Sequence, residues 1–287
     1  MKHPSFLRKK LGKFGDIRAA EGLRAALSHA VNFLVAKTGW YGDHRVLGRL
    51  LELTGNVSRL DGCRFPLTSP LISTALKSRY LLNRYERPER DAVRRFLDPA
   101  VPVVELGAAT GVVACVTGKR LTHPENHVVV EANPELIPLL RANRDLNGCS
   151  FTIVNKALGY GSGEIAFYTN HNDKFMSGSV RRVTDTKLSV PTVTLAELLA
   201  LRGFERATLI CDIEGAELDL VEHERDLLSK RIVQLIIEMH PSFIGEEGVA
   251  RVESELRLAG FRRVRTGRYC STLVFQNDAL SSLSPRR

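Results

Sequence analysis

Side chains that can carry charge or move protons stand at the ends of apolar, strand-like runs in this sequence. Glu105 follows "VPVV" and comes two residues before the first glycine of a turn, and Glu131 ends the run "HVVV". Asp212 and His240 end two later runs, "ATLIC" and "QLIIEM". Because the carboxyl ends of parallel strands meet at one edge of a sheet, we expect these four residues to surround one ligand site.

The turn after the first run predicts a ligand that carries an adenosine. Gly107, Ala108 and Gly111 are small, so a ligand can approach the backbone closely. Glu131 lies 20 residues after Gly111, where an acid can accept hydrogen bonds from both ribose hydroxyls. These four residues are therefore predicted to bind the cofactor.

The acid before the turn decides between two classes of cofactor. A dinucleotide site requires G-x-G-x-x-G, but Ala109 stands at the middle glycine, and Glu105 would place a negative charge near the phosphates. A cofactor without phosphate that bears an ammonium and a sulfonium group benefits from that charge. S-adenosylmethionine (SAM) is such a cofactor, so Glu105 is predicted to help hold its methionyl end, directly or through water.

The second half of the chain supplies candidates for catalysis: Asp212, Glu214, Glu238 and His240. His240 is predicted to be the base that removes the proton of an acceptor hydroxyl, with Glu214 or Glu238 orienting its other ring nitrogen. Asp212 is expected near the methionyl group or the acceptor. A divalent cation on Asp212, Glu214 and His240 is an alternative, but the prediction adopted contains no metal. Glu217 is interpreted as a first-turn helix acid.

Alternating elements must position these residues. From about residue 101, short β-branched runs alternate with helical patterns, which predicts a doubly wound, mostly parallel, seven-stranded Rossmann-like sheet. Residues 159–186 interrupt the alternation and are predicted as one strand and a long loop, whose part 170–182 is expected to be an acceptor lid. Residues 1–84 are predicted as a helical N-terminal region, and 85–287 as the domain that holds the site.

Together, these segments resemble the FkbM family of class I SAM-dependent methyltransferases over roughly residues 85–277. The similar segments are E-x-G-x-x-x-G, "VVVEANP", "IVNKALG", "DIEGAE" and "IIEMH". The resemblance implies cofactor contacts from Ala132 and Asn133, and from Asn155 and Ala157 near the adenine. It also implies O-methylation of a sugar, glycolipid, polysaccharide or secondary metabolite. Ile210 departs from the family's lysine two positions before the aspartate.

Composition narrows the partners and the location. The net charge is +9, and residues 1–24 carry seven Lys or Arg against two acids. This basic segment and the amphipathic pattern within residues 1–60 predict acceptor docking, an anionic membrane surface or a cap over the sheet. Five scattered cysteines without C-x-x-C spacing, and no signal peptide, predict a cytoplasmic protein, peripheral to a membrane where the basic segment binds one.

Two other functions fit the same fold. One is a methyltransferase acting on RNA or another acceptor, and the other is a non-catalytic SAM-fold binding protein. The strand end "DIEG" differs from the N-P-P-Y-like ends of RNA base methylases, so a small-molecule or glycan acceptor is expected rather than nucleic acid. The sequence leaves the oligomeric state open.

Overall fold

The computed structural model describes residues 44–53, 55–161, 163–169, 179–181, 186–264 and 271–281. Contacts divide the chain into two compact units, Met1–Arg87 and Pro88–Arg287. The helix predicted over "GLRAALSHAVNFLVAK" lies outside the described residues. In the part of the chain that is described, no helix combines the length and apolar character needed to cross a bilayer.

The N-terminal unit contains a β-hairpin as well as helices. Its elements in chain order are α1 His44–Leu53, β1 Val57–Leu60, β2 Cys63–Pro66 and α2 Thr74–Leu81. The hairpin turns at Asp61 and Gly62, whose φ angles are 47° and 85°, as a two-residue turn between antiparallel strands favours. The predicted helix over "HRVLGRLLELTG" is present as α1. The hairpin was not predicted, although Asp-Gly is a strong turn signal.

The larger unit is built on the predicted seven-stranded sheet. Its strands in chain order are β3 Val103–Leu106, β4 His127–Val130, β5 Thr152–Val154, β9 Ala207–Cys211, β10 Ile232–Glu238, β11 Phe261–Val264 and β12 Thr272–Asn277. The spatial order is β11-β12-β10-β9-β3-β4-β5, with β12 antiparallel to both of its neighbours and the other pairs parallel. The chain order reverses between β3 and β9, which is where such sheets bind ligands.

A smaller sheet occupies part of the segment predicted as one strand and a loop. Its order is β6-β8-β7, with β6 Ala157–Leu158, β7 Glu164–Thr169 and β8 Thr186–Val193. The strand β7 matches the predicted run "EIAFY". The strand β8 was missed, because Pro191 within "TKLSVPTV" argues against a strand. It forms because its other residues alternate in burial and pair with β7.

Helices connect the strands of the larger unit. They are α3 Arg87–Phe96, α4 Val112–Gly118, α5 Ile137–Leu146, α6 Leu195–Leu201, α7 Glu217–Arg231, α8 Pro241–Leu258 and α9 Asp278–Ser281. The helix predicted at 247–259 begins earlier, because proline is favoured in the first helical turn, and a break at Gly245 follows (φ 71°). Strand residues such as Val104, Leu209 and Leu235 are fully buried, as expected for a sheet covered on both faces.

Candidate active site

A cleft opens at the carboxyl ends of β3, β4 and β9. Most of the predicted cofactor residues line it, namely Gly107, Glu131, Ala132, Asn133, Ala157 and Asp212. Four others are not among its lining residues, namely Glu105, Ala108, Gly111 and Asn155. The cleft also contains Lys156, Phe167 and Val180, which sequence reasoning did not select.

The two glycines of the turn are required by packing. A Cβ atom on Gly107 would lie 1.6 Å from the carbonyl oxygen of Asp212, so the turns after β3 and β9 touch through their backbones. A Cβ atom on Gly111 would lie 2.3 Å from Leu140 Cδ1 on α5. Both glycines also have positive φ angles, 83° and 78°. Close packing, against backbone at Gly107 and against the Leu140 side chain at Gly111, therefore accounts for glycine at these positions together with ligand approach.

Glu131 organises the floor of the cleft. Its Oε2 accepts a hydrogen bond from the backbone N–H of Ala109, and its Oε1 accepts one from that of Asn133, both at 2.7 Å. Burial raises the pKa of Glu131 to about 7, against the lowering effect of these donors. Asn155 donates to the carbonyl oxygens of Glu131 (2.8 Å) and Ala132 (3.1 Å), so it shapes this loop from outside the cleft lining.

Glu105 lies below the cleft lining. Its side chain is 2% exposed, and Oε2 is 3.3 Å from Nε2 of His127, a fully buried residue on β4. Ala108, which also does not line the cleft, donates its backbone N–H to Val130 O at 3.0 Å. The contact between Glu105 and the methionyl end of the cofactor stays a prediction, and the geometry favours an indirect influence.

The catalytic candidates converge around one imidazole ring. His240 Nε2 lies 3.3 Å from Asp212 Oδ1 and 3.5 Å from Glu214 Oε2. His240 Nδ1 lies 2.7 Å from Oε1 of Glu217, a residue with no exposed side-chain surface. From the sequence, Glu214 or Glu238 was expected in this orienting role. Glu217 was missed because an acid in the first turn of a helix usually faces solvent and stabilises the helix.

The surroundings of His240 set its protonation. Burial lowers the pKa of the imidazole, but the hydrogen bond and charge of Glu217 and the charges of Glu214 and Glu238 outweigh burial, so its pKa is raised above 6.5. Because a carboxylate can only accept, Nδ1 carries the proton shared with Glu217. In the neutral ring, the lone pair of Nε2 therefore faces Asp212 and Glu214.

A further acid lies behind Glu238. Glu89 on α3 is buried and accepts a hydrogen bond from the hydroxyl of Thr272. Burial and the charge of Glu238 raise the pKa of Glu89 to about 7. Asp212, Glu238 and His240 also bring one donor atom each within 4.8 Å of one another, a spacing that a divalent cation could bridge. The absence of a metal stays a prediction.

Two residues of the predicted acceptor lid contact the segment that follows β9, and the lid itself stays a prediction. Ser179 donates its hydroxyl to the carbonyl oxygen of Glu214 (2.7 Å) and accepts the backbone N–H of Arg181 (3.1 Å). Arg181 forms an ion pair with Asp219 at 2.7 Å. Ser177, in the same predicted lid, lies outside the described residues. The structure thus assigns Ser179 and Arg181 to support of the Glu214 turn.

The fold and the cleft define a class I, Rossmann-like methyltransferase. Among the described residues that line the cleft, three carry carboxylates, Glu131, Asp212 and Glu214, and one is a lysine, Lys156, which suits a cationic ligand without phosphate. The methyltransferase FkbM domain family matches residues 105–263, more than half of the sequence. The chain belongs to this family, and its cofactor is SAM.

Comparison with individual proteins adds only distant likenesses. No curated protein matches the sequence significantly. The ribosomal protein L11 methylase of Lactobacillus delbrueckii subsp. bulgaricus is 14% identical over 67% of this chain and 77% of its own (TM-score 0.40). The METTL16 methyltransferase domain is 14% identical over 82% and 79% (TM-score 0.42). Fibrillarin of Aeropyrum pernix, with natively bound SAM, is 12% identical over 65% and 72% (TM-score 0.38). These likenesses are too distant to indicate a substrate.

Proposed function

We propose that this protein transfers the methyl group of SAM to a hydroxyl oxygen of a small molecule or glycan. The acceptor class comprises sugars, glycolipids, polysaccharides and secondary metabolites. The observation that carries the proposal is the contact of the partly buried His240 with the buried Glu217, which presents Nε2 of the imidazole next to two cleft residues, Asp212 and Glu214. An aliphatic hydroxyl is a weak nucleophile, so its methylation benefits from a base placed in this way.

The chain's own residues divide the work between positioning and proton transfer. When bound, SAM supplies an activated methyl group at the carboxyl ends of the strands. His240 Nε2 accepts the proton of the acceptor hydroxyl, while Nδ1–H remains bonded to Glu217. The carboxylates of Glu217 and Glu214 stabilise the resulting imidazolium. Correct placement of the acceptor oxygen supplies much of the rate, because aligned reacting groups avoid the entropic cost of encounter.

The partly exposed acids suit an acceptor with several hydroxyls. The side chains of Asp212 and Glu214 are 28% and 34% exposed, so their oxygens can accept hydrogen bonds from hydroxyls that neighbour the reacting one. Their negative charge disfavours a phosphate or carboxylate at the same place. A neutral polyol end therefore fits this part of the site best.

The test uses labelled SAM and a fractionated extract of the source organism as the acceptor pool. His240→Gln and Glu217→Gln are expected to keep SAM affinity, measured by calorimetry, and to lower methyl incorporation by about 10²–10⁴-fold and about 10-fold or more, respectively. His223→Gln is the matched control, because His223 is an exposed histidine stacked on Tyr160.

Three outcomes would overturn parts of this proposal. Activity of His240→Gln within a few-fold of the wild type would exclude His240 as the base. Loss of activity with a chelator, restored by magnesium, would replace the base with a cation held by Asp212, Glu238 and His240. Incorporation into an RNA fraction only would transfer the protein to another acceptor class.

We further propose that the basic N-terminal segment brings the cytoplasmic enzyme to an anionic membrane surface or to its acceptor. The support is the charge of residues 1–24, seven basic residues against two acids. Excess positive charge attracts anionic lipid headgroups over distances of about a Debye length, roughly 8–10 Å.

A further inference from the structure

Glu105 and His127 form a buried pair on neighbouring strands that the proposed transfer does not use. In the parallel pairing of β3 with β4, Val103 lies opposite His127 and Glu105 lies opposite Val129. Glu105 and His127 therefore share one face of the sheet, two positions apart. Their side chains are 2% and 0% exposed, and Glu105 Oε2 is 3.3 Å from His127 Nε2.

Each member of the pair is the other's charge partner. Within the described residues, no hydrogen bond reaches either ring nitrogen of His127 or Oε2 of Glu105. The imidazole otherwise packs edge-on against Phe151, with ring centroids 5.4 Å apart. An ionised carboxylate removed from water is strongly disfavoured unless an opposite charge lies beside it. His127 is the neighbouring side chain that can carry that charge.

The two members of the pair lie at different positions along the strands, and Glu105 is the one nearer the cleft. His127 is the first residue of β4, whereas Glu105 lies two positions further toward the carboxyl ends of the strands. The next residues after Glu105, Leu106 and Gly107, line the cleft. The positive end of the pair is thus the more distant one, and the negative end is directed toward the cofactor.

We propose that His127 is a positioning residue that keeps Glu105 ionised, so that the pair makes the cleft prefer the sulfonium of SAM to the neutral thioether of S-adenosylhomocysteine. The two cofactor forms differ by one methyl group and one positive charge. Charges interact more strongly through a buried, poorly screened region than through water, so the pair distinguishes the two cofactor forms by their charge. The inference rests on SAM as the cofactor and is independent of the acceptor and of the base.

Calorimetry on the full chain tests the proposal with SAM and S-adenosylhomocysteine as separate ligands. His127→Phe and His127→Gln should weaken SAM binding about 10-fold and S-adenosylhomocysteine binding by less than about 3-fold. His127→Lys, which keeps a positive charge, should restore much of the preference. Glu105→Gln should lose the same preference, and adding His127→Phe to it should cost little more, since the two side chains act together.

Controls separate charge from simple damage to the core. His123→Phe changes an exposed histidine near the same strand and should leave both affinities unchanged. Equal weakening of both ligands by the His127 variants, or no weakening, overturns the proposal. If the variants do not fold, the chemical shifts of the ring nitrogens of His127 are measured in the wild type with SAM bound. A neutral ring at pH 7 also overturns the proposal. Neither result tests the proposed function, because these experiments measure cofactor binding and not methyl transfer.

Discussion

Replacement of Glu131 tests the cofactor site most directly. The carboxylate accepts two backbone N–H groups, from Ala109 and Asn133, and it is predicted to accept the ribose hydroxyls of SAM as well. Glu131→Ala removes all of these acceptors. Loss of the ribose contact should cost about 1–3 kcal/mol of SAM binding, which is about 5–150-fold in Kd. The buried N–H of Asn133 also loses its partner, so unfolding should become easier by about 1–3 kcal/mol.

The raised pKa of Glu131 adds a pH signature. With a pKa of about 7, the carboxyl group is only about one-tenth ionised at pH 6, so SAM binding that requires the ionised form should weaken about tenfold from pH 8 to pH 6. The same shift acts on stability. The folded chain holds this proton more tightly than the unfolded chain, whose carboxyl titrates near 4.5, so the stabilisation is present below pH 4.5 and is lost as the pH rises toward 7.

Isothermal calorimetry at pH 6 and pH 8 and thermal unfolding measure both effects. The matched control is Glu135→Ala, which removes an exposed acid four residues away and should change neither affinity nor its pH dependence. An unchanged affinity in Glu131→Ala would refute the ribose role. Tighter binding of NAD than of SAM by the wild type would reject the site as a whole.

Three further expectations concern the base, the turn and the N-terminal segment. In a pH–rate profile at saturating SAM, kcat should rise with pH as His240 loses its proton, with the midpoint above pH 6.5. Glu217→Gln should move this midpoint to lower pH, because it removes the carboxylate that raises the pKa of His240. Gly107→Ala should abolish SAM binding or stable folding, at a cost above about 4 kcal/mol, because its Cβ would lie 1.6 Å from a carbonyl oxygen. The control is Gly203→Ala, which is also at positive φ but in open space and should cost only about 1 kcal/mol in thermal unfolding. If the N-terminal segment docks the acceptor, deletion of residues 1–60 should leave SAM binding intact, raise KM for the acceptor and remove the salt dependence of KM. Insoluble expression of the truncated protein would indicate a cap over the sheet. Unchanged kinetics at low and high salt would exclude docking.

The strands and their acidic ends could be predicted because parallel sheets impose simple patterns. Continuous apolar runs such as "HVVV" indicate strands buried on both faces, and the acids that follow them must lie at the ligand-binding edge. The strand β8 could not be predicted in this way. Its Pro191 weakens the local signal, and the pairing with β7 that stabilises it lies outside the run itself.

The residues that complete the site are harder to find, because their roles depend on neighbours far away in the chain. Glu217 looks like a helix-capping acid until His240, 23 residues later, is placed against it. His127 looks like the polar start of a strand until Glu105, 22 residues earlier, is placed beside it. Nothing in the local pattern around either residue records these distances. Glu105 was selected from the sequence for its position at a strand end, and the structure places His127 beside it; its role toward the cofactor stays a prediction.

The charge of the whole chain and the charge of the site have opposite signs, and this separates two steps of recognition. A net charge of +9 attracts anionic surfaces and carriers from a distance. At the cleft, however, three carboxylates outnumber the one lysine among the lining residues. Such a cleft favours a cationic cofactor over an anionic group. Under the proposed function, any anionic part of an acceptor is therefore expected to bind away from the reacting hydroxyl. An acceptor that combines a neutral sugar with an anionic anchor would match both the positive net charge of the chain and the negative charge of the cleft.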